Sequence, residues 1–216
     1  MRRKLFLATA VLLITVFAFS ATAFADYYSK PTLLRSGMEN TEVERLQRDL
    51  KSLGYFRISP TGYFGDYTKQ SVIAFQRANN LAVDGIVGIR TARELKVDRV
   101  IQTAKQYIGV PYVWGGVSPS GFDCSGYTHY VLLKNGIVVP RTAKAQYGVG
   151  TSVSKDQLKP GDLVFFETYA PGPTHVGFYI GNNQFLHASS GGDSVKISDM
   201  TKSYYAQRYI GAKRVI

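Results

Sequence analysis

Four apolar residues, Val43, Leu46, Leu50 and Leu53, recur at spacings of 3, 4 and 3 and predict one face of a helix. Asn40 or Thr41 can cap its start and Gly54 its end. A turn at Gly62–Gly65 follows, after which Asp66 is placed to cap a second helix carrying Val72 and Phe75 and stopping near Asn79-Asn80. Asp84-Gly85 and Gly88 make another turn, and Thr91 to Leu95 predict a short third helix. Val97 to Val100 form a seam. Asp98 can cap the next helix, whose inner face is Val100, Ile101, Ala104 and Ile108. Beyond the seam the period changes. A helix is predicted from Asp123 to Asn135-Gly136, a good C-terminal pair. The apolar run Leu163–Phe166 predicts a buried strand. His175 to Ile180 and Gln184 to Ala188 predict two strands around a turn at Gly181–Asn183, and Tyr209 to Val215 a last strand. The pattern predicts an all-α unit of three helices over residues 26–97, then an α+β unit over 98–216 with a helical cluster on an antiparallel sheet. No low-complexity linker separates them, so the two units are expected to touch.

The first 25 residues carry a different pattern. Arg2, Arg3 and Lys4 precede an uncharged apolar run from Leu5 to Phe19, and Ala23-Phe24-Ala25 has the small-x-small form of a cleavage site. This predicts a secretion signal at 1–25, contact with the membrane only during export, and a secreted product. An uncleaved anchor is the alternative, because no charge interrupts Leu5 to Ala25.

Composition narrows the function classes. Of 216 residues 45% are hydrophobic and 13% aromatic, which excludes a disordered chain. One cysteine excludes an internal disulfide, and the absence of a C-x-x-C pair excludes a zinc ribbon. The formal charge is +11. Without the three basic signal residues it is +8, with 23 basic side chains against 15 acidic ones. Export argues against nucleic acid as the partner of that charge and favours anionic envelope polymers.

Export also makes the lone Cys124 informative, as a partner for another chain, an inert buried residue or a nucleophile. It follows a glycine-rich loop and opens a helix, where free N–H groups and the helix dipole are expected to lower a thiol pKa, although Asp123 beside it acts the other way. A thiolate nucleophile needs an imidazole to take and return a proton. His129, five residues along the helix, turns away from the cysteine and reads as structural. His175 and His187 lie on consecutive strands. A three-residue loop puts both on one face; a two-residue loop breaks that parity unless a bulge restores it. Zinc held by Cys124 and the two histidines is the competing chemistry, but the spacings match no short chelate motif, and no metal or cofactor is implied.

Residues 31–96 resemble the three-helix peptidoglycan-binding domain of wall hydrolases. The matching positions are Gly37, Val43, Leu46-Gln47, Leu50, Leu53-Gly54-Tyr55, Gly62–Gly65, Val72, Phe75-Gln76, Asp84–Gly88, Thr91 and Leu95. Residues 98–216 resemble the NlpC-type cell-wall cysteine peptidase family, of papain-like fold. The motifs run in family order: Tyr107–Gly116, Phe122–Gly126, Pro140–Ala143, Pro160–Phe166, His175–Gly181 and Phe185–Ala188. The resemblance implies Cys124 as nucleophile, His175 as general base and His187 as the residue that orients it. It implies Tyr112 beside the thiol, Asp123 and Ser125 on the free amine of a stem peptide, and Arg141 lining the site. The activity so implied is a wall-associated endopeptidase, needing no cofactor, that cuts between the γ-carboxyl of D-glutamate and the diamino acid of peptidoglycan stem peptides. The rivals are an amidase or acyl transferase on the same fold and a non-catalytic wall-binding protein. A monomer is expected. If His175 must be neutral to act, activity is expected to fall on the acid side near pH 6–7.

Overall fold

The computed structural model describes residues 33–216. The export signal expected at 1–25 lies outside them, and no helix among the described residues is long and apolar enough to cross a membrane. The first unit is built from helices α1 (Thr41–Ser52), α2 (Asp66–Ala78) and the start of α3 (Ile89–Lys105). Asn40 caps α1 by accepting the Val43 amide at 2.9 Å. Asp66 is the first helical residue of α2 rather than its cap; Gly65 takes the cap position and offers no side-chain bond. Val43, Leu46, Leu50, Phe64, Val72 and Phe75 bury fully in one core.

Two buried glutamines hold the turns of this unit in the same way. Gln47 accepts the amides of Thr61 and Gly62 and donates to the carbonyl of Tyr63. Gln76 accepts the Gly85 amide and donates to the Ile86 carbonyl. Of the groups so paired, those of Gly62 and Gly85 belong to buried residues, and leaving either amide unpaired would cost about 1–3 kcal/mol.

The expected seam does not exist as a break. The third and fourth predicted helices are one continuous helix, α3, running through Val97 and Asp98. No glycine or proline falls between Ile89 and Lys105 to stop it. Asp98 bonds Asn79 instead of capping. The first half of α3 packs Ala92 and Leu95 into the N-terminal core. The second half packs Val100, Ile101 and Ala104 into the next. Arg99 pairs with the buried Asp49 of α1 at 2.5 Å, and the Gln102 side chain donates to the Ser52 carbonyl.

The second unit starts with a two-stranded ribbon, β1 (Val117–Ser118) and β2 (Gly121–Phe122), then α4 (Cys124–Lys134) and the short α5 (Ala143–Tyr147). Strands β3 (Thr151–Val153), β4 (Leu163–Phe166), β5 (His175–Gly181), β6 (Gln184–Ser189), β7 (Ser194–Asp199) and β8 (Tyr209–Arg214) form one antiparallel sheet. Its order is β3-β8-β4-β5-β6-β7. A one-turn helix, α6 (Ser203–Ala206), precedes β8. Tyr127, Val131 and Leu132 of α4 bury against Phe165, Val176, Phe178 and Leu186 on one face of the sheet. Val164, Phe166 and Phe185 point to the other face, under Met200 and Tyr205. Both faces of β4 are thus covered, which is why it reads as an unbroken apolar run. Asp162, 1% exposed, ties this strand to the chain end through two 2.7 Å bonds from Arg214. The α+β layout and the helical unit before it match the expectation.

Candidate active site

Cys124 is the first residue of α4, and the Asp123 carboxylate caps that helix by accepting the Gly126 amide at 2.6 Å. The thiol therefore stands at a helix N-terminus, as the sequence predicts. Its Sγ lies 3.8 Å from the Thr174 carbonyl, the residue just before His175, so the head of α4 meets the head of β5. Cys124 and His175 line one cleft of about 720 Å³. Tyr112, Asp123, Ser125 and Arg141 line it as well. Trp114 and Tyr169, both exposed, also line it and meet edge-to-face with ring centres 5.6 Å apart.

The hairpin that carries the histidines solves the parity problem by the second route. The turn has two residues, Asn182 and Asn183, both at positive φ (52° and 58°). Asparagine tolerates this conformation better than most residues. Pairing runs Phe178↔Leu186 and Tyr179↔Phe185, then slips to Gly181↔Gln184, so Ile180 is an extra residue in a bulge. The bulge returns odd positions to a common face, and His175 and His187 meet there. His175 Nε2 lies 2.7 Å from His187 Nδ1 with the rings at 90°. Gly177 makes this possible: a Cβ there would sit 2.8 Å from the Leu186 carbonyl and 2.9 Å from the His187 Cβ.

The chain of bonds continues. His187 Nε2 reaches Ser198 Oγ on β7 at 2.9 Å, and Ser198 and Ser189 bond the Tyr205 hydroxyl. His187 is fully buried and stacks on Phe185 at 4.3 Å. A proton pattern satisfies every partner: Nε2–H of His175 donates to His187, Nε2–H of His187 donates to Ser198, and Ser198 donates to Tyr205. This leaves Nδ1 of His175 bare and able to accept a proton. Burial pushes the pKa of His175 down to about 4. That of His187 is lowered by burial first, then by the charges of His175 and Lys196.

The thiol departs from the sequence expectation. Its pKa is raised to about 11, not lowered, because burial dominates and the Asp123 charge adds to it. N–H groups of Val176, Ser125 and Cys124 act the other way and are outweighed. The resting pair is a thiol beside a neutral imidazole. Tyr112 is held protonated, its pKa pushed up to about 12 by burial and then by Cys124 and Asp123, so its hydroxyl is a donor.

Arg141 is more tightly engaged than a lining residue. Its guanidinium grips both oxygens of Asp123, at 3.0 and 2.5 Å, and donates to Ser125 Oγ at 2.9 Å. Asp123, Ser125 and Arg141 form one polar wall next to the sulfur. His129 is half-buried on the far side of α4, bonding the Val139 carbonyl at 2.8 Å, in keeping with a structural role. No group of three metal-ligating side chains is gathered among the described residues. Ser198, Thr174 and Lys196 were not singled out in the sequence. The alternation in Ser194–Asp199, with Val195 and Ile197 apolar and Lys196 and Ser198 polar, was the available signal for their strand.

Known proteins resemble this chain in sequence and fold. Residues 109–214 match the NlpC/P60 family and residues 39–95 the putative peptidoglycan binding domain. The "Probable peptidoglycan endopeptidase LytE" of Bacillus subtilis is 50% identical over 122 residues, covering 56% of this chain and 35% of that protein. The "Gamma-D-glutamyl-L-lysine dipeptidyl-peptidase" of Bacillus cereus is 39% identical over 197 residues, covering 89% of this chain and 55% of that one. The chain thus spans about a third to about half of the length of these two relatives. Among solved structures, the P60 domain of a Mycobacterium avium subspecies paratuberculosis antigen is 33% identical with a TM-score of 0.50, covering 57% of this chain and 96% of that one. An NlpC/P60 family protein from Bacillus cereus is 38% identical with a TM-score of 0.52, covering 55% of this chain and 40% of that one.

Proposed function

Because the chain belongs to the NlpC/P60 family and carries a peptidoglycan-binding domain, we propose that it is a secreted, wall-associated cysteine endopeptidase. The bond it cuts joins the γ-carboxyl of D-glutamate to the diamino acid of a peptidoglycan stem peptide. The observation that carries this reading is the relay from the cleft inward: a thiol at a helix start, and a neutral imidazole whose second nitrogen is tied to another imidazole at 2.7 Å.

The chemistry follows from the protonation states. Cys124 Sγ attacks the γ-carbonyl carbon while its proton passes to Nδ1 of His175. The imidazolium so formed is stabilised through Nε2–H by His187, which is itself held by Ser198. Negative charge on the former carbonyl oxygen is met by the Cys124 N–H and the Tyr112 hydroxyl. The carbon–nitrogen bond then breaks, the amine leaves with the proton from His175, and water releases the thioester with His175 again taking a proton. Asp123 and Ser125 hold the free N-terminal amine of the stem peptide, on the acyl half of the substrate. Arg141 fixes both and offsets the aspartate charge beside the sulfur.

The decisive test is the mass of the fragments released from defined muropeptides. Fragments ending in D-glutamate with a free carboxyl group, together with a diamino acid bearing a new free amine, are expected. Release of the whole stem peptide from the glycan, with a new N-terminal alanine, would show an amidase instead.

The acid limb of activity is expected well below the usual histidine range. His175 works as a base only when neutral, and burial lowers its pKa to about 4, so acid disables it only near that pH. The midpoint of kcat/KM on the acid side is therefore expected below about pH 5.5 rather than at 6–7. A midpoint at an unperturbed value near 6.5 would contradict the burial argument. Stability has the same sign. Between about pH 6.5 and 4 the unfolded chain binds more protons at these imidazoles than the folded one, so the fold weakens as pH falls through that window.

A further inference from the structure

A second cavity, of about 360 Å³, opens on the other side of His175. It shares Thr168, His175 and Ser190 with the thiol's cleft, so the two spaces adjoin at the imidazole that protonates the leaving amine. Ser189, Tyr204, Tyr205 and Lys196 line the rest. No aspartate or glutamate lines it. Lys196 lies on β7 opposite His187. Its ammonium makes no salt bridge or hydrogen bond among the described residues. Its ammonium lies over Gly192, in the space that a side chain at 192 would take. The charge is close enough to help hold His187 neutral.

We propose that this cavity receives the amine-side fragment of the substrate and that Lys196 binds a carboxylate on it. The inference rests on the endopeptidase reading of the cleft. The orientation follows from proton flow: the acyl half sits against Cys124 and Asp123, and the nitrogen must reach His175, so what is attached to that nitrogen enters the space beyond. That space offers a cation without a partner and a rim of hydroxyl donors. This complements a carboxylate and leaves a neutral carboxamide with weaker bonds. Two carboxylates of such a fragment could reach it: the C-terminal one, or one on the side chain of the diamino acid.

The test uses three synthetic peptides with the same γ-D-glutamyl bond. The first has lysine and a free C-terminal carboxylate, the second is its C-terminal amide, and the third is an amide whose diamino acid bears a side-chain carboxylate. Wild type is expected to prefer a carboxylate peptide over the neutral amide by about tenfold in kcat/KM, mainly through KM. The first or the third peptide will show that preference, according to which carboxylate is bound. Lys196→Gln is expected to bring the ratio close to one, and Lys196→Arg to restore most of it. A ratio unaltered in Lys196→Gln, or no preference in wild type, overturns the carboxylate site while cleavage of the neutral amide keeps the endopeptidase reading. Failure of wild type to cut any of the three overturns the reading itself, and the carboxylate site with it. If Lys196→Gln does not fold, the wild-type preference must shrink as sodium chloride is raised, and a preference that salt leaves unaltered overturns the site.

Discussion

Cys124→Ala is expected to release no stem fragments from purified wall above background, a loss of about 10³-fold or more in rate. On the proposed mechanism the sulfur is the nucleophile, and no second thiol exists in the chain to replace it. The variant should fold normally. The side chain lost is small, and the helix start is held by the Asp123 cap and the Arg141 pair rather than by the sulfur. Thermal unfolding within about 2 °C of wild type, together with the lost turnover, separates chemistry from stability. Equal fragment release by the two proteins would refute covalent catalysis through this residue. A matching loss in His175→Ala, with Cys124 intact, would place the base where the proton pattern puts it.

Gly126→Ala is expected to be about as damaging by a different route. A methyl group at Gly126 would lie 2.0 Å from the Gly116 carbonyl oxygen, a backbone atom, and 3.1 Å from both the Gly116 carbonyl carbon and the Asp123 Oδ1. No rotamer change can relieve that. The loop at Gly116 would have to move away from α4, yet its carbonyl also accepts the Asp123 amide at 3.1 Å and the Arg141 guanidinium at 3.4 Å. Displacing it pulls on the cap of α4 and on the polar wall beside the thiol together. A destabilisation of about 3–5 kcal/mol is expected, the range of severe overpacking combined with a lost cap. A shift of the urea midpoint at constant slope measures it. An unshifted midpoint would mean that the glycine is there for another reason.

Much of the site was legible because its chemistry depends on residue types that are scarce in this chain. One cysteine and three histidines leave few arrangements, and helix geometry removes His129. The register of the hairpin was not legible. Residues 181–183 are compatible with a two- or three-residue loop, and only the bulge at Ile180, a matter of tertiary packing, decides that the imidazoles share a face. The thiol pKa is not legible in the sequence, because the local argument, a helix start, is visible there and the burial that outweighs it is not. Ser198 is illegible for a related reason. Serine is common, and its part in the relay exists only once β7 lies beside β6. The fold is legible where a local signal is strong, as in the apolar spacing of α1 and the Asn135-Gly136 pair that ends α4. It was misread at Asp98, where a residue with a strong capping preference sits inside a helix because Asn79 offers its carboxylate another partner.

For the proposed endopeptidase, the unbroken α3 sets how it would hunt for bonds. Two modules on a floppy tether sweep a sphere, and an anchored module lets its blade graze anything within the tether's length. Here a shared rod seats its two ends in separate cores, and Arg99 ties it to Asp49 of α1. Once docked on the wall, the protein would act as a fixed jig, presenting the blade at one height and one angle. The yield of cuts would then depend on the lattice's own geometry and tension rather than on diffusion of the arm.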